Sequence, residues 1–429
     1  MPNIPTNGSS SECSDGGNLL ALANSILQQT QDIVEYLRLN SYPSPTFAVE
    51  SIDRPETLEY LTLHDGLKRS LEDLKYLVEG PKMHFRALCC QGYELAGIQV
   101  ALEFNFFTLV PAEGQISLEE LAKRSGVDLD RTSRVVRLLV TESIFKEPTP
   151  GYISHNPSSY LLYKDEEIRS TLQYTTDEML KAASSTADNV RASPDAYDSA
   201  LTPFSTRHGL PIFDYYEKDP QRSLRFAKAM AGWAKLNLNI NVLKDSFPWG
   251  NLKGTVVDVG GGSGKVSITL AQNFPNLNFI VQDSIDMYAA GKSLLTDDIR
   301  DRVSFMQHSF FEPQPVVDAA AYILRACALN WCDRDVVTML RALVPGLERS
   351  KPNTPLLIND LILPPQETLS RSMERGLRQI DLIMMVGFGG KLRTQKEFEA
   401  LLRQADERYE VRSFRLDGLV GLLEVYLRH

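Results

Sequence analysis

The chain has 429 residues, 43% of them hydrophobic and 23% charged, which suits two or three soluble globular domains with sizeable cores. A formal charge of −10 repels polyanions and excludes nucleic acid as a main partner. The most apolar stretch, from Ala87 to Val110, is interrupted by Gln91, Glu94 and Glu103, so no membrane span of about 20 apolar residues is expected.

Residues 1–17 are rich in Ser, Gly, Asn and Pro and are expected to form a disordered tail; they carry neither the basic start nor the apolar segment of a secretory signal. Leu20, Ile26, Ile33 and Leu37 recur at helical spacing and predict an amphipathic helix over 19–39, which Pro43 and Pro45 end. Helical patterning resumes over 56–80 and 82–109. The second of these is apolar nearly all round and so belongs in a core or between subunits.

Residues 116–163 read as a winged helix-turn-helix. Ser117 and Glu120 form a capping-box pattern, Gly126 stops the first helix, a second follows from Asp130, and FKEPTPGYISHNPSS supplies the wing. Arg131, Arg134 and Arg137 are offset by Asp128, Asp130 and Glu142, so a structural module is favoured over a DNA reader. Helices continue through 165–240. The five cysteines, Cys13, Cys89, Cys90, Cys327 and Cys332, show no CxxC spacing and no His cluster, which predicts reduced thiols, no metal site and a cytoplasmic protein.

From residue 241 to 429 strand-like runs (TVVDVG, NFIVQD, AAYILRA, PLLINDLIL) alternate with helical ones, the pattern of an α/β Rossmann-like domain with a mainly parallel sheet. Strand TVVDV runs into Gly260-Gly261-Gly262-Ser263-Gly264 and then into a helix. Asp283 ends the next strand, 25 positions after Asp258. Glycines let backbone pass close to a ligand, and the carboxylate of Asp283 is placed to accept from ribose hydroxyls. This spacing fits NAD nearly as well as S-adenosylmethionine. The position of the loop, after a helical region of about 250 residues, favours S-adenosylmethionine and a substrate-and-dimer module in front.

Over roughly residues 60–429 the chain resembles the plant and fungal small-molecule O-methyltransferases, on the motifs VVDVGGGSGKVSITLA, FIVQD, MQHSFFEPQP, ILRACALNWCD, LLINDLILP and DLIMMVGFGGKLRT. The resemblance implies a class I methyltransferase fold and S-adenosylmethionine as cofactor. It also implies a homodimer formed through the front domain, and a small-molecule substrate. It places Asp258, Gly260 and Gly262 at the methionine end of the cofactor, Asp283 on the ribose and Phe310 near the adenine, with Arg325 and Trp331 lining the site. Ser309 stands where the family has an Asp that contacts the adenine.

The family's catalytic base is a His in L-R-x-x-L-H-D-W. Here Leu329 stands at that position and Asn330 at the neighbouring Asp. Of the two acids that orient the histidine, one corresponds to Asp360 and the other to Leu392. A phenol must lose its proton as it takes up a methyl group, and a positioned base contributes about 10²–10⁴-fold. The resemblance is therefore strongest to the methyltransferase-fold pericyclases of leporin and pyridone-alkaloid biosynthesis. This implies dehydration and Diels–Alder or ene cyclisation of a polyketide-derived substrate by electrostatic preorganisation.

On that reading His155 is a hydrogen-bond donor or proton relay, or else a turn-capping histidine. Asn330 orients a carbonyl or packs beside Trp331. Asp360 acts as acid or base or caps the sheet edge. The alternatives are an O-methyltransferase with a relocated base and a noncatalytic S-adenosylmethionine-binding regulator.

Overall fold

The computed structural model describes residues 19–194, 198, 200–237, 240–364, 369–417 and 420–428, so the tail expected over 1–17 lies outside the described residues. Helix Leu19–Leu39 has the bounds its periodicity predicts. The next two predicted helices are one element, Leu58–Glu103, broken where Gly80 takes φ 67° ahead of Pro81. Pro81 has no N–H to continue the ladder, and the left-handed glycine resets the axis. Phe85, Leu88 and Tyr93 on this element are exposed in the single chain.

Two compact units are present, one up to Leu95 together with Ser370–Ser372 and one of Ala96–Leu369 with Met373–His429. The sequence reading put the division at 240/241. The later helices of the front region pack with the sheet: Tyr174, Phe204 and Tyr216 share one apolar cluster with Leu329, Leu361 and Leu377. An ion pair reinforces this, with Lys265 on Glu167 at 3.1 Å.

The winged module folds as expected. Strand β1 (Ile116–Ser117) pairs with β3 (Tyr152–His155), which pairs with β2 (Phe145–Thr149), and helices Leu118–Ser125 and Leu129–Thr141 complete it. Only half of the predicted capping box forms. Ser117 accepts from the Glu120 N–H, but the Glu120 carboxylate turns to Arg124 at 2.7 Å.

The large sheet contains β4 (Gly254–Val259), β5 (Leu277–Asp283), β6 (Val303–Gln307), β7 (Ala321–Arg325), β8 (Leu356–Leu363), β9 (Arg393–Thr394), β10 (Tyr409–Asp417) and β11 (Val420–Leu427). Its order is β10-β11-β8-β7-β4-β5-β6, with β9 on the end of β8; strands β4 to β8 run parallel, and β10 and β11 are antiparallel. The parallel strands are apolar runs because both faces are covered. Val257, Val259, Tyr322 and Leu324 pack on helix Asp333–Glu348, whereas Val256, Phe279, Val281 and Ile323 pack with Trp249 and Leu270 on the other face.

The chain runs from β4 outward to β5 and β6, then crosses back to β7 on the other side of β4. Strand order therefore reverses between β4 and β7, and ligands in open α/β sheets bind beyond the carboxyl ends of the strands at such a point. The loops after β4 (260–264) and after β7 (326–331) flank it.

Candidate functional site

Three glycines of the first loop hold left-handed backbone, Gly260 at φ 70°, Gly262 at 59° and Gly264 at 73°. A Cβ on Gly264 would press on Phe305 and Val281 at 3.1 Å, and one on Gly260 would sit 2.7 Å from the Cys327 sulfur. Asp283 Oδ2 accepts from the Gly262 N–H at 2.9 Å while its Oδ1 accepts from the Ser284 N–H at 2.7 Å. Asp283 thus laces the end of β5 to the glycine loop, directly beside the space the glycines leave.

Asp258, the last acidic residue of β4, is buried. Burial pushes its carboxyl up to about 6, although the Ser267 hydroxyl donating at 2.7 Å and the Arg325 charge act against this. Its partner Ser267 is on helix Lys265–Asn273, so this carboxylate ties strand to helix beneath the loop. Arg325 ends β7 and donates to Asn359 of β8, and Asn359 in turn donates to the Gly421 carbonyl at 2.9 Å. The Phe310 ring lies over Gly260. It meets Trp331 edge-on at 5.8 Å, and Trp331 stacks on Phe213 at 5.9 Å. Ser309, beside it, is exposed, and its Oγ accepts from the Phe311 N–H. Loop, acid and aromatic wall together fit an adenosyl cofactor: left-handed glycines at close backbone approach, a carboxylate at the next strand end, and a ring above.

The second loop is built differently. Ala326 holds φ 49°, a strained value for a residue with a Cβ, and a short 3₁₀ turn Ala328–Asn330 follows. Leu329 is 7% exposed and Leu392 is 2% exposed. They lie in one apolar cluster with Ile380, Met384 and Phe388. The two leucines of the ALN and KLR segments are thus buried together in hydrocarbon.

Asp360 remains, 2% exposed, its Oδ2 accepting from the Leu329 N–H at 3.2 Å and its Oδ1 from the Leu361 N–H at 2.8 Å. Burial pushes its carboxyl up to about 7, opposed by the Leu361 N–H, the Arg393 charge, the Leu329 N–H and the Arg325 charge. Asn330 is half-buried and donates to the Ala326 carbonyl at 3.4 Å.

His155 is not brought to this site's open side. It is 2% exposed in the wing, with Nε2–H donating to the Val110 carbonyl at 3.1 Å and Nδ1 facing the Ser159 hydroxyl at 3.0 Å. Phe145, Tyr160 and Tyr163 surround the ring, and burial lowers its pKa. Both ring nitrogens are engaged by groups of the wing and of the Val110 turn, as the capping alternative requires.

Sequence reasoning missed Arg393. Its guanidinium is buried and pairs with Asp333 at 2.8 Å, and it donates to the carbonyls of Ala328 at 2.8 Å and Trp331 at 2.7 Å. The fork spans the whole second loop, which a planar donor set can do. The available signal was an arginine within the same GKLRT motif as Leu392. Lys391 pairs with Asp333 at 3.0 Å and Glu397 at 3.2 Å. Among the described residues no cluster of His, Cys, Asp and Glu forms a metal site, and no helix is long and apolar enough to cross a membrane.

Residues 185–406 match the O-methyltransferase domain family and residues 93–165 the O-methyltransferase dimerisation domain. The chain belongs to the O-methyltransferase family. Its relatives include O-methyltransferase sol2 of Alternaria solani, 49% identical over 424 residues and covering 98% of each chain. In fold it is similar to LepI in complex with SAM (TM-score 0.75, 20% identity, 95% of this chain and 100% of that one). A pericyclic reaction enzyme is also similar (TM-score 0.73, 20% identity, 96% and 99%). This O-methyltransferase-family chain uses S-adenosylmethionine as its cofactor, and Asp283, Phe310 and the glycine loop are the residues that would hold it.

Proposed function

We propose that this chain is a pericyclase of secondary metabolism, dehydrating and cyclising a polyketide-derived pyridone-like substrate by Diels–Alder or ene chemistry. One observation carries the reading: Leu329 and Leu392 are buried in a single apolar cluster at the positions of the family's base and its support. A leucine accepts no proton, and the paired replacement leaves no pocket into which a charged imidazole would be welcomed. The pericyclic reaction enzyme of the same fold is compatible with this, as a likeness of fold.

S-adenosylmethionine supplies a fixed positive charge when bound. The chain's own residues do the rest. Asn330, with one N–H on the Ala326 carbonyl, offers its second N–H and its carbonyl oxygen to orient a substrate carbonyl. Asp360, protonated up to about pH 7, supplies or takes the proton of the dehydration step. Phe213, Trp331 and Phe310 present aromatic faces that hold a polyene in one conformer. We assign His155 a structural role in the wing. The assembly is a homodimer, supported by the dimerisation-domain match and by the exposed Phe85, Leu88 and Tyr93.

Methyl transfer is the second reading, favoured by the name of the 49%-identical relative. The two separate in one assay: protein with labelled S-adenosylmethionine and a 4-hydroxy-2-pyridone bearing an alkenyl carbinol side chain. A pericyclase yields cyclised products lighter by one water, with the cofactor intact. Formation of S-adenosylhomocysteine in step with a methylated pyridone sinks the proposal.

A further inference from the structure

Between helix Glu166–Tyr174 and the short helix Leu180–Ala183 the chain makes a π-helical turn, Thr175–Met179. Such wide turns are rare and concentrate at functional sites. This one buries Glu178 to 1% exposure. Glu178 Oε1 accepts from Arg222 at 3.0 Å and from Arg225, while Oε2 meets no partner.

Three further buried atoms around it lack a partner within hydrogen-bond distance: the hydroxyls of Tyr174 and Tyr216, the second of which is turned toward Glu178, and the Nε–H of Arg225. The groups are close enough to act on each other. Burial raises the pKa of both tyrosines, the Glu178 charge raises each further, and Tyr174 adds to the rise of Tyr216. Native interiors leave few polar atoms unsatisfied, so four in one place call for a ligand or ordered water.

Ring contacts place the cluster beside the aromatic wall of the candidate site. Tyr216 stacks on Phe226 at 4.4 Å, Phe226 meets Phe213 at 6.4 Å, and Phe213 stacks on Trp331. Tyr174 and Tyr216 also belong to the apolar cluster that holds Leu329 and Leu392. On the outer side a cleft of about 350 Å³ is lined by Asp177, Lys181, Arg207, His208, Tyr215 and Arg222. His208 bonds the Glu178 carbonyl at 3.2 Å, so the cleft ends against the π turn.

We propose that Tyr174, Glu178, Tyr216 and Arg225 form the polar anchor of the substrate pocket, recognising an adjacent hydroxyl and carbonyl such as the β-hydroxy enone of a 4-hydroxy-2-pyridone. The inference rests on the function proposed above and deepens it. Glu178 Oε2 accepts from the ligand hydroxyl, the Arg225 Nε–H donates to the ligand carbonyl, and the tyrosine hydroxyls serve either. An O-methylated ligand would lack the hydrogen that Glu178 requires. A site with buried polar groups discriminates strongly against a ligand that leaves one unpaired.

The test is calorimetric titration of the full-length protein with 4-hydroxy-2-pyridone and with 4-methoxy-2-pyridone, beside thermal unfolding. The hydroxy compound should bind at least tenfold tighter. Tyr216→Phe and Tyr174→Phe should each weaken it by tenfold or more while leaving Tm unchanged or higher, since each removes an unpaired buried hydroxyl. Glu178→Gln should reduce the preference between the two compounds. Equal affinity for both compounds, no binding of the hydroxy compound, or phenylalanine variants that lower Tm at unaltered affinity would overturn the anchor, the last pointing to ordered water alone. Binding is read without turnover. A methylated product would therefore remove the proposed reaction class and leave the anchor standing.

Discussion

The backbone N–H of Leu329 donates to the carboxylate of Asp360 at 3.2 Å, so a buried acid of β8 holds the main chain of the 328–330 turn.

Restoring a histidine tests how completely the pocket has been rebuilt. Leu329→His alone should destabilise the protein by about 2–4 kcal/mol, because it places a polar ring in an apolar cluster. Adding Leu392→Glu should recover at least ~1 kcal/mol, since the two positions share that cluster and the new side chains can pair. Denaturant unfolding of the two singles and the double measures the coupling. Additive losses would mean that the two positions no longer face each other.

Asp360 makes stability depend on pH in a defined direction. Its carboxyl is raised from an ordinary 3.8 to about 7 by burial. Between about pH 4 and pH 7 the unfolded chain has released this proton and the folded chain retains it, so stability falls as pH rises through that window and levels above it. Asp360→Asn carries no such proton. Across pH 4–8 the unfolding free energy of the wild type should fall relative to that of the variant as pH rises, by an amount on the order of a few kcal/mol. A pH-independent difference would refute the burial of an ionisable group there.

Arg393→Met should cost about 2–4 kcal/mol. It strips the Ala328 and Trp331 carbonyls of their donor, whereas Asp333 is half-exposed and stays solvated. Arg393→Lys should rescue little, because one ammonium cannot span acceptors that a planar fork reaches together. Chemical denaturation measures both, and cofactor titration should show weakened binding as the 326–331 loop loosens.

Two glycine substitutions should rank in a fixed order. Gly260→Ala meets the Cys327 sulfur at 2.7 Å, while Gly262→Ala meets only the Met287 methyl at 3.4 Å, and both strain a left-handed residue. Cofactor affinity should fall further for Gly260→Ala. Cys327→Gly in the same chain should return part of the loss by removing the sulfur. Equal losses, or no rescue, would show that the strained backbone alone sets the cost.

The sheet domain was legible because its signals are local and concentrated. A glycine loop between strand and helix, an acid at the next strand end, and uninterrupted Val, Ile and Leu runs each reflect one backbone requirement. What escaped was everything that depends on distant pairing. Arg393 is a common residue in a short loop, and nothing in its neighbours tells that its guanidinium reaches back about 65 positions to the Ala328 carbonyl.

His155 misled for the opposite reason. Histidine is chemically versatile, but the Val110 carbonyl that fixes it is 45 residues away. The hairpin of β10 and β11 was not foreseen either, although Asp417-Gly418 between two apolar runs is a turn signal. The π turn at 175–179 carries no sequence signature and emerges only from packing.

Gly390 shows how the turn keeps its course. A side chain there would strike the Leu329 carbonyl at 2.1 Å, so this loop and the 328–331 turn are locked main chain to main chain, with the Arg393 fork closing the same seam. The backbone path of the turn is thus held by contacts that the side chains at 329 and 392 do not make, and a substitution at either place acts first on the apolar cluster those side chains fill.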